Sequence, residues 1–194
     1  MKTLLLGIGL FTIVLTAVQC ESKPAADVDE NQVAITAQAS DSAQAAQSVI
    51  AFLQWYKKNL GTVSNINLVN QDEIKGYSMN FKNGERYLAY LKSSNLLSER
   101  YLNDWRTYFK ERDEGFQLSH QNEGPPTGFD YDLVMLNQDV DEQMASLNQL
   151  KINHIDISKN QATVTCTLFI TYEFRLVRQN NRWVIDEILN LSDE

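Results

Sequence analysis

The chain has 194 residues, of which 43% are apolar and 22% charged, a size and composition that fit one globular domain and leave little room for a second. Its net charge is −8, and no long run of basic residues interrupts this acidity. Because an acidic surface repels a phosphate backbone, we expect no nucleic-acid partner.

The N-terminus has the pattern of a secretion signal. Lys2 supplies a short positive region, and the apolar stretch of residues 4–18 is interrupted only by Gly and Thr. This stretch is shorter than the roughly 20 residues that cross a bilayer comfortably. The pattern predicts a signal peptide over residues 1–19, with an uncleaved membrane anchor as the alternative.

The end of this signal, Leu-Thr-Ala-Val-Gln-Cys at residues 15–20, resembles the lipobox of bacterial lipoproteins, whose cysteine is acylated and becomes the new N-terminus. The resemblance implies lipidation at Cys20, and hence an exported, periplasmic protein with a lipid anchor in a membrane. Gln19 stands where a small residue normally precedes the cysteine, and Ala17 stands where Leu is usual. Ordinary cleavage after Ala17 is therefore the competing possibility.

Composition divides the remaining chain into a tether and a domain. Residues 20–44 are rich in Ala, Ser, Gln and acidic residues and lack aromatic residues, which predicts a flexible tether before one domain over residues 45–194. The domain opens with one face of an amphipathic helix, formed by Val49, Phe52, Leu53, Tyr56 and Leu60. We expect Ser40 or Asp41 to cap this helix and Gly61 to end it.

Two more helices are predicted before the middle of the chain. The first spans residues 84–93, with Tyr87, Leu88 and Leu91 facing inward. The second begins at Ser98 and continues to about Phe116. Its periodic face consists of Tyr101, Leu102, Trp105, Tyr108, Phe109 and Arg112. We interpret this aromatic stripe as part of the core rather than as a cofactor site.

The C-terminal third has the period-2 alternation of β-strands. Residues 151–157 form one predicted strand, and residues 161–178 form a second, long enough to require curvature or a bulge. Asn180 and Asn181 predict a hairpin turn, because Asn tolerates positive φ. Residues 182–189 return as the last strand, with Trp183 and Ile185 inward. Helices followed by strands predict the α+β class, with N-terminal helices packed on a curved antiparallel sheet.

Several sequence motifs of the predicted domain resemble those of a known protein family. They are Phe52-Leu53-x-Trp55-Tyr56, Tyr87-Leu88-x-Tyr90-Leu91, Tyr101-x-x-x-Trp105, Gly124-Pro125-Pro126-x-Gly128-Phe129-Asp130-Tyr131-Asp132 and Trp183-x-Ile185-Asp186-Glu187-Ile188. With these motifs, residues 49–188 resemble an uncharacterised bacterial family, domain of unknown function 3828, and the element order is similar to the cystatin-like or nuclear-transport-factor-2-like cone. The resemblance implies this fold and an exported or lipoprotein location, but it supplies no reaction.

One group of side chains could bind a metal ion or act in catalysis. It consists of the acidic residues at and after the end of the Pro-Gly segment: Asp130, Asp132, Asp139, Asp141 and Glu142. Oxygen ligands on an irregular loop can bind calcium, and a carboxylate pair can act as acid and base. The spacing is not that of an EF-hand, so we predict no metal and no cofactor. The alternative is that Asp130 and Asp132 accept hydrogen bonds from nearby backbone N–H groups and fix the loop.

Other reactive residue types are sparse. Cys166 falls on the apolar face of a predicted strand, which favours a buried structural thiol over a nucleophile or a disulfide with Cys20. His120 and His154 lie in different elements, and the chain contains no P-loop, dinucleotide fingerprint, zinc helix or nucleophile elbow.

Two hypotheses about function follow. The first is a non-enzymatic envelope lipoprotein that binds another envelope protein through the loop of residues 124–132, with Phe129, Asp130 and Asp132 at the contact. The second is a small-molecule binder or hydrolase with a pocket between the helices and the curved sheet. Tyr87, Trp105, Tyr108 and Asp130 would line that pocket.

Overall fold

A computed structural model of the protein describes residues 30–192, with side chains from residue 38 onward. The predicted signal peptide, Cys20 and the first part of the tether lie outside these residues. In chain order the elements are α1 (Glu30–Ser64), β1 (Val69–Asp72), β2 (Gly76–Met79), α2 (Phe81–Lys92), α3 (Glu99–Ser119), α4 (Val140–Ala145), one 3-10 turn (Leu147–Gln149), β3 (Lys151–Ser158), β4 (Gln161–Leu168), β5 (Ile170–Gln179) and β6 (Arg182–Asn190). Strands β3-β4-β5-β6 form one antiparallel sheet in this order, and β1 pairs with β2 separately. The predicted α+β class is confirmed.

The first helix is longer than the sequence pattern predicts. It begins at Glu30 and ends at Ser64, so the expected cap at Ser40 or Asp41 and the expected stop at Gly61 are both wrong. Residues 30–44, predicted as tether, are helical, in keeping with their Ala and Gln content. Gly61 is tolerated because an exposed helical Gly costs only about 1 kcal/mol, and the helix continues to the buried Val63.

Contacts with the sheet hold the middle of this long helix in place. Asp41 forms an ion pair with Arg178 of β5, and the Arg178 guanidinium lies 4.6 Å from the centre of the Trp183 ring. The Ser48 hydroxyl donates a hydrogen bond of 2.9 Å to the Trp183 carbonyl. These contacts join residues more than 130 positions apart along the chain, and local sequence reasoning could not anticipate them.

The starts of the next two helices are set by side-chain caps. The Asn80 side chain accepts a hydrogen bond from the Asn83 N–H, which places the start of α2 at Phe81 rather than at the predicted Gly84. The Ser98 side chain accepts from the Tyr101 N–H, and this confirms the predicted start of α3. Backbone bonds between Ser98 and Ile185 (2.8 Å) and between Ile185 and Leu96 (2.7 Å) attach the α2–α3 connection to the edge of β6.

The predicted long strand over residues 161–178 is wrong, because the chain reverses at Phe169. Leu168 pairs with Ile170 and Cys166 with Tyr172, so β4 and β5 form a tight hairpin. Paired residues share one face of an antiparallel sheet. Every pair in this register joins two even or two odd positions, and the alternation therefore continues unbroken through the turn. The predicted turn at Asn180 and Asn181 is confirmed, with φ of 50° and 59°.

The helices and one face of the sheet enclose a filled apolar core. Its fully buried large side chains include Phe52, Leu53, Tyr56, Leu88, Leu91, Leu102, Met135, Met144, Leu168, Tyr172, Phe174 and Trp183. The predicted inward positions Tyr87, Leu88, Leu91, Trp183 and Ile185 are all buried. A second, smaller apolar cluster of Val69, Tyr77 and Phe116 lies between the β1–β2 hairpin and the end of α3.

Candidate functional site

A cavity of about 560 Å³ lies beside the Pro-Gly segment rather than between the helices and the sheet. Its walls come from the end of α1 and the start of β1, from α2, from residues 126–133 and from the start of α4. The lining residues are Val63, Ser64, Ile66, Asn67, Leu68, Val69, Tyr87, Pro126, Phe129, Asp130, Tyr131, Asp132, Leu133, Gln138, Val140 and Asp141. No residue of β3 to β6 lines this cavity. The predicted pocket between the helices and the curved sheet stays a prediction.

The cavity's neighbour is a second depression of about 610 Å³ near the end of β6. The two share Tyr131 and Gln138 as lining residues. The rest of the second depression is lined by residues 136–139, Ile170, Leu189, Asn190 and Ser192. Tyr131 and Gln138 therefore border two concave surfaces.

The loop of residues 124–132, here called the Pro-Gly loop, is fastened at several points. The Tyr77 hydroxyl donates to the Gly124 carbonyl (2.6 Å), and the Tyr108 hydroxyl donates to the Gly128 carbonyl (2.8 Å). The Gln121 side chain donates to the Pro125 carbonyl (2.8 Å) and accepts from the Thr127 N–H (2.9 Å). These bonds fix the backbone of an irregular segment, so the cavity wall is preorganised.

Gly128 is required at the point where the loop approaches α3. Its φ is +85°, a conformation that L side chains rarely adopt. A Cβ at this position would collide with the Tyr108 hydroxyl and would lie 2.8 Å from Cδ of Arg112. Gly124 also has a positive φ, of +73°, but open space surrounds it.

Asp132 closes the loop and is itself held by three hydrogen bonds. One carboxylate oxygen accepts from the backbone N–H groups of Val134 (3.0 Å) and Met135 (2.7 Å), and the other accepts from the Tyr56 hydroxyl. The prediction that this residue fixes the loop through backbone N–H groups is confirmed. Burial raises the pKa of Asp132 above its ordinary value, although all three hydrogen bonds act in the opposite direction.

Tyr87, a buried residue of α2, brings a hydroxyl to the cavity. The residue is only 4% exposed, and its hydroxyl makes no hydrogen bond to any residue in the range 38–192. Burial, together with the nearby Asp132 carboxylate, raises the pKa of Tyr87 well above its ordinary value. The hydroxyl is therefore a neutral hydrogen-bonding group that no side chain or backbone group of residues 38–192 occupies.

Of the other predicted site residues, Phe129 lies in the cavity wall but is also structural. Its ring centre is 6.1 Å from that of Tyr108 and 6.2 Å from those of Phe109 and Phe116. Phe129 thus packs against both apolar clusters. Trp105 and Tyr108 lie behind it, with their own ring centres 5.2 Å apart, and neither lines the cavity.

Charge in the cavity is all of one sign. Asp130, Asp132 and Asp141 contribute carboxylates, and the lining includes no Lys, Arg or His. Asp130 is exposed and accepts no hydrogen bond from any residue between 38 and 192, so the expectation that it fixes the loop as Asp132 does is wrong. Between residues 38 and 192, no group of three Asp, Glu, His or Cys side chains is placed so that it could hold a metal ion.

The remaining residues with possible chemistry do not reach this cavity. Cys166 is buried in β4, and burial raises the pKa of its thiol to about 12, as expected of a structural cysteine. His120 caps the end of α3 and His154 lies in β3; both are exposed. What sequence reasoning missed is the wall formed by residues 63–69, together with Gln138 and Val140, because these positions carry no motif.

Comparison of the chain with protein-family models, with curated proteins and with solved structures finds no match. The resemblance to domain of unknown function 3828 therefore stays a prediction. Within residues 30–192, no helix combines the length and the apolar character that crossing a bilayer requires.

Proposed function

We propose that the protein is an exported cell-envelope lipoprotein, anchored through Cys20, and that its domain is a non-enzymatic module that recognises another envelope protein. The observation that supports recognition is the Pro-Gly loop, which is fixed by side chains from the β1–β2 hairpin, α3 and α1 and walls an open cavity. Binding residues placed on a loop that a rigid scaffold holds are typical of recognition sites.

Recognition fits the cavity better than catalysis does. Asp132 is the carboxylate with a raised pKa, which is the observation that favours the alternative, a hydrolase with an acid–base carboxylate. However, both oxygens of Asp132 already accept hydrogen bonds from Tyr56, Val134 and Met135. These three bonds occupy most of the roughly four lone-pair sites of the carboxylate, which leaves it little capacity for proton transfer. A binder of small molecules would use the same cavity and remains the second candidate.

Crosslinking in intact cells tests the proposed recognition. The wild-type protein should capture one dominant envelope protein, identified by mass spectrometry. Replacing the exposed Asp130 by Arg should abolish the capture, because the change reverses the charge of the cavity rim. Asp156→Arg is the matched control, since Asp156 is exposed on β3 and does not line the cavity. Equal capture by both variants, or capture of no envelope protein, would contradict the proposal.

The anchor is tested by the intact mass of the mature chain. Acylation at Cys20 predicts a chain that begins at this residue and carries the added mass of its acyl groups. Replacing Cys20 by Ser should release the protein from the membrane fraction. A mature chain that begins at Val18, after cleavage at Ala17, and carries no acyl mass would contradict the anchoring while leaving the recognition site open.

A further inference from the structure

Within residues 38–192, the carboxylates of the cavity have no cationic partner. Asp130 and Asp141 make neither an ion pair nor a hydrogen bond to any residue between 38 and 192, and Asp132 bonds only to neutral groups. By contrast, Asp186, Glu85 and Glu187 elsewhere on the surface each pair with an Arg. A cavity whose charges all have the same sign and whose walls are partly apolar concentrates the electrostatic field. It therefore attracts a group of opposite charge.

Tyr87 points independently to a ligand. The residue is more than nine-tenths buried and lines the same cavity, and its hydroxyl bonds to no residue between 38 and 192. A ligand that supplies a hydrogen-bonding group can therefore pair with this hydroxyl. Since the neighbouring groups are carboxylates, the ligand group most compatible with all of them is an N–H donor that carries positive charge.

The apolar residues in the cavity walls indicate the chemical nature of the rest of the ligand. Val63, Ile66, Leu68, Leu133 and Val140 supply apolar surface between the polar groups. An aliphatic stem with a cationic tip matches this arrangement, because the stem covers apolar surface while the charge reaches the carboxylates. Lys and Arg side chains have this form, and so do free alkyl amines.

We propose that the cavity beside the Pro-Gly loop binds an ammonium or guanidinium group carried on an aliphatic stem, with Asp130 and Asp141 as counter-charges and Tyr87 as a hydrogen-bonding partner. In the context of the proposed function, on which it rests, the group is a Lys or Arg side chain of the partner protein. The same chemistry on a free alkyl amine would instead make the protein a small-molecule binder.

The test compares two probes that share a four-carbon stem and differ only in the terminal ammonium group. The full mature chain is titrated with N-acetyl-lysine methylamide and with N-acetyl-norleucine methylamide, and backbone amide shifts are followed by NMR. The lysine probe should bind roughly five- to tenfold more tightly, and added salt should reduce the preference. Cadaverine, a free diamine, should bind as the lysine probe does if charge and stem suffice for recognition.

Variants then assign the preference to the cavity. Asp130→Asn with Asp141→Asn should remove the preference for the lysine probe. Glu142→Gln with Asp156→Asn removes the same number of exposed charges outside the cavity and should leave it intact. Tyr87→Phe should weaken the binding of the lysine probe without abolishing its preference over norleucine. All four exposed positions leave the core untouched, and an unchanged melting temperature confirms folding.

The outcomes separate this inference from the proposed function. Equal binding of the two probes, or equal loss of preference in both charge-removing pairs, would overturn the cationic ligand while leaving loop-dependent capture of an envelope protein unaffected. A lysine preference that depends on Asp130 and Asp141, combined with no partner captured in cells, would uphold the cationic ligand and overturn protein recognition. In that case, tighter binding of cadaverine than of the lysine probe would identify the source as a free amine.

Discussion

The helix–sheet interface and the cavity beside the Pro-Gly loop differ in the hydrogen-bond partner that each offers to a tyrosine. At the interface, the Tyr172 hydroxyl is fully buried and donates to the Met135 carbonyl at 2.8 Å, within a filled core. At the cavity, Tyr87 is almost as buried, but its hydroxyl bonds to no residue between 38 and 192 and the residue lines open space together with Asp130 and Asp141. The interface thus stabilises the fold mainly through apolar packing, while the loop side leaves a hydroxyl and two carboxylates available to a partner.

Substitutions at the helix–sheet interface should lower the free energy of unfolding most. Replacing Phe174 by Ala should lower the free energy of unfolding by about 3–5 kcal/mol, because a fully buried ring is lost and its cavity cannot collapse. Urea denaturation measures it. Phe129→Ala, which removes a half-buried ring of the loop, should cost less. If both substitutions cost the same, the contrast between the two regions fails.

The next effect tests how the loop is fastened. Asp132→Ala should lower the free energy of unfolding by about 2–3 kcal/mol, because it leaves two backbone N–H groups and the Tyr56 hydroxyl without their acceptor. Asp132→Asn keeps an acceptor oxygen and should cost clearly less. Denaturation of both variants checks the order. A loss below about 0.5 kcal/mol for the Ala variant would show that water replaces the carboxylate.

The two glycines of the Pro-Gly loop offer a matched pair. Gly124→Ala should cost about 1 kcal/mol, since only its positive φ is unfavourable for Ala. Gly128→Ala should cost about 1–3 kcal/mol more, because the new methyl group also collides with Tyr108 and Arg112. Thermal denaturation of the two variants gives the difference. Equal costs would mean that the loop moves freely away from α3.

The smallest effect is a gain in stability at the β4–β5 turn. Phe169 has φ of +63° and is 65% exposed, so its side chain offers little packing to offset the backbone cost. Phe169→Gly should raise the free energy of unfolding by about 0.5–1 kcal/mol. Phe169→Ala keeps the unfavourable φ and should bring no such gain. A destabilised Gly variant would indicate that the exposed ring contributes packing.

Sequence patterns predicted the parts of the fold that local chemistry determines. The Ser98 cap, the Asn180–Asn181 turn and the inward faces of α2 and β6 each follow from residues close together in the chain. The Phe169 turn was missed because it lacks Gly or Asn and preserves the alternation of the two strands. Nothing in the local pattern could reveal that an ion pair to β5 holds α1.

The candidate site was predicted only in part for the same reason. Tyr87, Phe129, Asp130 and Asp132 do line one cavity, whereas Trp105 and Tyr108 support its wall from behind. The wall from residues 63–69 depends on how the end of α1 meets the Pro-Gly loop. That meeting is a tertiary contact between segments about 60 residues apart, which periodicity does not encode.

Site-specific photo-crosslinking in cells tests whether the cavity beside the Pro-Gly loop is the surface that recognises an envelope protein. A photoreactive residue at Gln138, which is exposed and lines the cavity, is compared with one at Asp156 on β3. If the cavity side is the recognition surface, position 138 should crosslink to one envelope protein, and the crosslinked peptide should contain Lys or Arg; position 156 should not capture that protein. Equal crosslinking from both positions, or none from position 138, would contradict the account.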